Sequence, residues 1–193
     1  MDFSELSHQR EIRESLNKIF IEKCSPEKLK NFDNEFKHDE KLYEFLATNG
    51  YLGLGINEKL NGSGEDLYDL GILFECLGFH AAPLCLTGCL VDVAQTLQKF
   101  SKNENHQSIV SSIANGEIYT SAILEPLNHD PENPTTTAVF DDDKIIINGS
   151  KYLSEISSLA KGILISASSN KGVILALVKT DNVKLTQLTS TAN

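Results

Sequence analysis

The chain has 193 residues, 40% of them hydrophobic and 23% charged, with a net charge of −10. That is material for one large globular domain or two small ones. The acidity argues against a nucleic-acid partner, whose phosphates need an excess of lysine and arginine. No apolar run reaches membrane-spanning length, so no membrane partner is expected. Met1-Asp2-Phe3-Ser4-Glu5 reads as a cytoplasmic start, with no signal-peptide core behind it. Cys24, Cys76, Cys85 and Cys89 form no Cys-x-x-Cys pair and are expected as reduced thiols. Cys85 and Cys89 lie one helical turn apart without a histidine to complete a tetrahedral set, so no metal site is assigned.

The first part of the chain has helical periodicity. Ser4 to Cys24 places Leu6, Ile12, Leu16, Ile19 and Phe20 at helical spacing. A second helix starts at Pro26, with Ser25 as its cap. A third is predicted over Phe36 to Asn49, with Leu42, Phe45 and Leu46 on one face and Gly50 after its end. Tyr51 to Ile56 is a tightly packed connection, and Asn61-Gly62-Ser63-Gly64 is a turn. The sharper reading of those glycines, a phosphate loop, lacks the preceding strand and the following Lys-Ser/Thr. Glu65 to Gly78, Ala82 to Phe100 and His106 to Asn115 are the fourth, fifth and sixth helices. The fifth is apolar on most faces, as in the middle of a bundle.

From Ile118 the period changes to that of strands. Ile118 to Leu124 is strand-like until Glu125-Pro126 breaks it. Thr135 to Phe140 and Lys144 to Asn148 form a hairpin around Asp141-Asp142-Asp143, and Asn148-Gly149 is a further turn. Gly162 to Ser168, Gly172 to Lys179 and Val183 to Leu188 are the remaining strands. The expected fold is α+β: an N-terminal all-α helical bundle over residues 1–117, then a small antiparallel β-barrel or sandwich over residues 118–193.

The local wording of the chain narrows this. Gln9-Arg10-Glu11-Ile12-Arg13 near the start, Leu46 to Leu54, Asn61 to Gly64 and Leu73-Phe74-Glu75-Cys76-Leu77-Gly78 follow one another in order. Ala114-Asn115-Gly116-Glu117, Glu125-Pro126 and Asn148-Gly149-Ser150-Lys151 continue the series. Across essentially its whole length the chain resembles an acyl-CoA dehydrogenase. The resemblance implies flavin adenine dinucleotide (FAD) between the β-domain and a C-terminal helical domain, with an acyl-CoA thioester against the flavin. A glutamate base removes the α-proton while hydride leaves to the flavin, and an electron-transferring flavoprotein takes the electrons. A link to fatty acid metabolism and an oligomeric state follow from the same resemblance.

Two departures shape the functional expectation. The family's C-terminal helical domain, with its catalytic glutamate, has no counterpart before Asn193, so no catalytic residue is assigned. The flavin motifs also differ. Leu124 stands at the family's Thr-Glu-Pro threonine, and Leu153-Ser154-Glu155 stands at its Trp-Ile-Thr. Leucine donates no hydrogen bond, Leu153 lacks the aromatic face, and Glu155 brings negative charge toward a ring whose reduced form is anionic. The candidate cofactor positions are Ile123, Leu124, Leu153, Ser154 and Glu155, with Ser154 as the remaining side-chain donor and the backbone near Ile123 and Leu124 as a second source.

Among other polar groups, Glu125 reads as a structural position, and Asp141-Asp142-Asp143 as a solvated hairpin tip. His80 reads as a favourable charge at a helix end. His129 and Asp130 are the candidate substrate-binding pair, the plainer reading being a surface loop histidine. Two functions follow. One is an acyl-CoA dehydrogenase-like subunit or fragment, completed by a homologous dehydrogenase subunit or a missing C-terminal segment. The other is a non-catalytic structural subunit that binds no flavin and stabilises such a dehydrogenase.

Overall fold

The computed structural model describes residues 4–35, 38–64, 66–142 and 144–187. The fold is α+β, helical first and then a mixed sheet. Contacts divide the chain into two compact units. Of the described residues, 4–85 and 97–116 form the first, and 86–96 and 117–187 form the second. Residues 86–96, read from sequence as part of the helical domain, therefore fall in the sheet-containing unit. No helix among the described residues is long and apolar enough to cross a membrane.

In the first unit, α1 (Ser7–Lys23) packs on α4 (Leu67–Phe79), burying Leu16 and Phe20 against a core that includes Leu70 and Leu73. Between them lie α2 (Pro26–Glu35) and α3 (Glu40–Thr48). Ser25 caps α2 through its Oγ and the Lys28 N–H at 3.4 Å. Asp39 caps α3 at the Leu42 N–H and Asp66 caps α4 at the Tyr68 N–H, each satisfying an amide that a helix start leaves open. The third helix thus starts later than its periodicity suggests. The expected starts Phe36 and Glu65 lie outside the described residues. His80 ends α4, and its Nε2 meets Asn17 Oδ1 at 2.8 Å, a structural use. The Asn61–Gly64 turn is a packing device, because a Cβ on Gly62 would lie 2.0 Å from the Ile56 carbonyl oxygen. α6 (Glu104–Ala114) closes the unit.

The expected fifth helix takes an unusual form. A π-helical stretch, Thr87–Gln95, runs directly into α5, Thr96–Phe100. π-helical turns are rare and concentrate at functional sites.

Among the described residues the second unit holds five strands: β1 (Tyr119–Ala122), β2 (Thr137–Asp141), β3 (Lys144–Asn148), β4 (Gly162–Ser169) and β5 (Gly172–Lys179). The two hairpins pair antiparallel as expected, β2 with β3 and β4 with β5. The all-antiparallel expectation is corrected elsewhere, because β4 pairs parallel with β1 and, at one position, with β2. Residues 123–161 form the crossover that a parallel pairing requires. The order β1-β4-β2-β3, with β5 on β4, does not close into a barrel. The last expected strand is also corrected: residues 183–187 carry no strand, and Leu188 lies outside the described residues. Ala122, Ile163 and Ile165 form the sheet core, with Ile147, Ala176 and Val178 packed on it.

Candidate functional site: a cleft beside the end of the first strand

The chain leaves β1 at Ala122 and continues as Ile123-Leu124-Glu125. A distant stretch, residues 151–154, is stitched alongside by three hydrogen bonds. Lys151 Nζ donates to the Ile123 carbonyl at 3.2 Å, the Tyr152 N–H to the Leu124 carbonyl at 3.0 Å, and Ser154 Oγ to the Ser121 carbonyl at 2.9 Å. These bonds bring the two sequence motifs together.

Glu125 anchors one end. It is 2% exposed and accepts five hydrogen bonds: from the Thr135 N–H (2.6 Å), Thr135 Oγ1 (2.7 Å), the Thr136 N–H (2.8 Å), Lys151 Nζ (2.8 Å) and Asn128 Nδ2 (3.1 Å). Lys151 Nζ also reaches Ser166 Oγ on β4 at 3.0 Å. Burial alone would raise the Glu125 pKa. The donors from Lys151, Thr136 and Thr135 outweigh it and hold the carboxyl well below the usual range. A carboxylate so fully engaged is no proton acceptor, which agrees with its structural reading.

Glu155 anchors the other end. Its Oε2 accepts from the Gly88 N–H at 3.1 Å, in the first turn of the π-helical stretch. A carboxylate there satisfies an amide and meets the positive end of the helix dipole. Asp92, one turn on, accepts a short hydrogen bond from Ser121 Oγ. Gly88 lies close to β1, since a Cβ on it would come 2.6 Å from Thr120 Oγ1 and 3.2 Å from Ser121 N.

Between these elements lies a cleft of about 160 Å³, lined by Thr87, Gly88, Asp92, Ser121, Ile123, Leu124, Tyr152, Leu153 and Glu155. Its walls combine aliphatic side chains, with Leu124 and Leu153 42% and 60% exposed, with Tyr152 and the hydroxyl residues Thr87 and Ser121. Its charged groups are the two carboxylates. Leu153 holds φ at +57°, a left-handed conformation in which a side chain with a Cβ is strained. The arrangement suits an apolar group, and its charge disfavours an anion.

Of the candidates read from sequence, Ile123, Leu124, Leu153 and Glu155 line this cleft. Ser154 is not among the lining residues, and its hydroxyl is taken by the β1 backbone rather than offered to a ligand. His129 and Asp130 do not line it either. Both are exposed, and Asp130 holds its own loop, accepting from the Glu132 N–H at 3.0 Å and from Asn133 Nδ2 at 2.8 Å. Sequence reasoning did not assign Thr87, Gly88, Asp92, Ser121 or Tyr152 to the site. The lone Asp92 and Gly88 inside an otherwise apolar helix were the available signal, because each breaks the pattern without a turn to explain it.

The profile of the acyl-CoA dehydrogenase N-terminal domain matches residues 7–117. The acyl-CoA dehydrogenase FadE26 of Mycobacterium tuberculosis is 26% identical over 178 residues, which are 88% of this chain and 44% of that protein. A solved variant of the Tcur3481-Tcur3483 steroid ACAD superposes with a TM-score of 0.83 at 28% identity, over 90% of this chain and 48% of that one. The ChsE4-ChsE5 complex of Mycobacterium tuberculosis, at 22% identity, shares the fold with a TM-score of 0.83, over 93% of this chain and 49% of that one. The chain thus spans about half the length of the relatives it matches. It belongs to the acyl-CoA dehydrogenase family.

Proposed function

We propose that this chain is an acyl-CoA dehydrogenase-like subunit or fragment that does not oxidise a thioester by itself. It contributes a helical unit and a β unit to an assembly whose redox chemistry belongs to a homologous dehydrogenase. Of the two versions set out above, the cleft favours the non-catalytic one. The observation that carries it is the Glu155 carboxylate on the Gly88 N–H, in the place where the family resemblance puts the flavin ring.

The residues present do not fit FAD in that place. Leu124 offers a wall where the family has a hydroxyl, Leu153 offers no ring face, and Ser154 is turned to the backbone. Asp92 and Glu155 add negative charge beside a group that becomes anionic on reduction. No reaction step is therefore assigned to this cleft. Acyl-CoA and an electron-transferring flavoprotein are, in this reading, ligands of the assembly rather than of this chain.

A partner is supported by exposed apolar side chains on the sheet. Val139 and Ile146 face each other across β2 and β3 at 59% and 55% exposure, and Leu175 on β5 is 53% exposed. The Val139–Ile146 pair is an exposed apolar spot of the kind that interaction surfaces use. The ChsE4-ChsE5 protein, of the same fold, is itself a complex of two named components.

The test is co-expression of this chain with a full-length homologous dehydrogenase. A stable hetero-oligomer carrying flavin only on the homologue supports the proposal. Thioester oxidation by this chain alone, with FAD bound to it, overturns it.

A further inference from the structure

We infer that Glu155 is a built-in plug. Its carboxylate takes the Gly88 N–H that an acceptor atom of an entering ring would otherwise use, and this contact adds the largest share to the cleft's exclusion of an isoalloxazine. The inference rests on the reading that the wild-type cleft holds no flavin.

Three features of the structure converge on Glu155. The amide it occupies is fixed in place, because Gly88 sits so close to β1 that its Cβ would collide with Thr120 Oγ1. The amide also lies in the first turn of the π-helical stretch, where acceptors and negative charge are favoured. An internal carboxylate there competes with any ligand acceptor.

The backbone on both sides of Glu155 is held in left-handed geometry, Leu153 at φ +57° and Ile156 at φ +38°. Two bulky residues adopt such angles only where their surroundings over-determine them. Ser154 between them is pinned by its bond to the Ser121 carbonyl. The segment is thus bent so that residue 155 points back at Gly88. Ile123, Leu124 and Leu153 wall the cleft beside this amide and give a ring only apolar contact. The amide is the cleft's fixed donor at this end, and Glu155 occupies it.

FAD titrated into the wild-type chain, Glu155→Gln and Glu155→Thr, read by flavin fluorescence, separates the possibilities. Thermal unfolding and a second short variant, Glu155→Ala, guard against loss of the fold. The glutamine oxygen still accepts from Gly88, so wild type and Glu155→Gln show no saturable binding. Threonine and alanine are too short to reach the amide. They bind FAD with a Kd at least about tenfold below the lower limit that the titration sets for wild type, the scale of one charge-assisted hydrogen bond.

Folded Glu155→Thr and Glu155→Ala that bind no tighter than wild type overturn the plug and leave the proposed function standing. Binding by Glu155→Gln as tight as by Glu155→Thr also overturns it, since charge and not occupancy would then decide. Saturable binding by the wild type overturns the proposed function itself. Without any ligand, hydrogen exchange at the Gly88 amide is slow in wild type and Glu155→Gln and faster in Glu155→Thr. Equal rates in all three contradict the plug.

Discussion

Glu125 and Glu155 use the same chemistry to opposite ends. Each is a glutamate beside the end of β1, and each accepts from backbone N–H groups. Glu125 is buried, accepts five hydrogen bonds and pairs with Lys151. Glu155 is half-buried, accepts one bond from Gly88 and hangs from strained backbone. The first contact holds the strand end and the loop 133–136 in register, so it is scaffold. The second lines a cleft and could be removed with little harm to the fold. Glu125 is thus fully engaged in the frame of the site, and Glu155 holds to it by a single bond.

The largest expected effect is at Glu125. Glu125→Leu strands Lys151 as an uncompensated buried charge and lowers unfolding free energy by about 3–5 kcal/mol, read by urea denaturation. Adding Lys151→Met to it recovers much of that loss, because an apolar pair of similar volume replaces the ion pair. A loss below about 1 kcal/mol for Glu125→Leu would place Glu125 on a par with Glu155 and remove the contrast.

Acid provides a second handle on the same residue. The folded pKa of Glu125 is depressed, so its stabilisation is fully present above its unfolded pKa of about 4.3 and is lost as pH falls below it. Urea midpoints measured downward from neutral pH fall through that window, and the Glu125→Gln variant shows a flatter acid limb.

Smaller effects follow in the cleft. Gly88→Ala pushes a methyl group against Thr120 and Ser121 and costs about 1–3 kcal/mol. Glu155→Ala removes one helix-start contact and costs about 1 kcal/mol, visible as a modest drop in the urea midpoint. Leu153→Gly relieves a left-handed leucine, worth about 1–2 kcal/mol, and offsets most of that through glycine's chain entropy. Its stability therefore shifts upward by less than about 1 kcal/mol.

Much of the fold was legible in the sequence because its signals are local. The helical periodicity around Leu16 and Phe20, the Pro26 start and the two hairpins all depend on neighbours along the chain. The parallel pairing of β1 with β4 was not legible, since alternation in a strand does not encode which distant strand lies beside it or in which direction. The pattern of the family's motifs pointed to Ile123, Leu124, Leu153 and Glu155, and all four line one cleft. It did not reveal where their side chains turn. Ser154, read as a free donor, gives its hydroxyl to a carbonyl on β1, and the Gly88 amide gives its hydrogen to Glu155. A hydroxyl's partner and a backbone amide's partner are tertiary facts. The sequence names neither.

What fills this cleft is read most directly from a crystal structure of the wild-type chain grown with saturating FAD. Glu155 Oε2 is expected still on the Gly88 N–H, with no ring between Leu124 and Leu153. An isoalloxazine seated there, touching Leu124 and displacing or contacting Glu155, would contradict this.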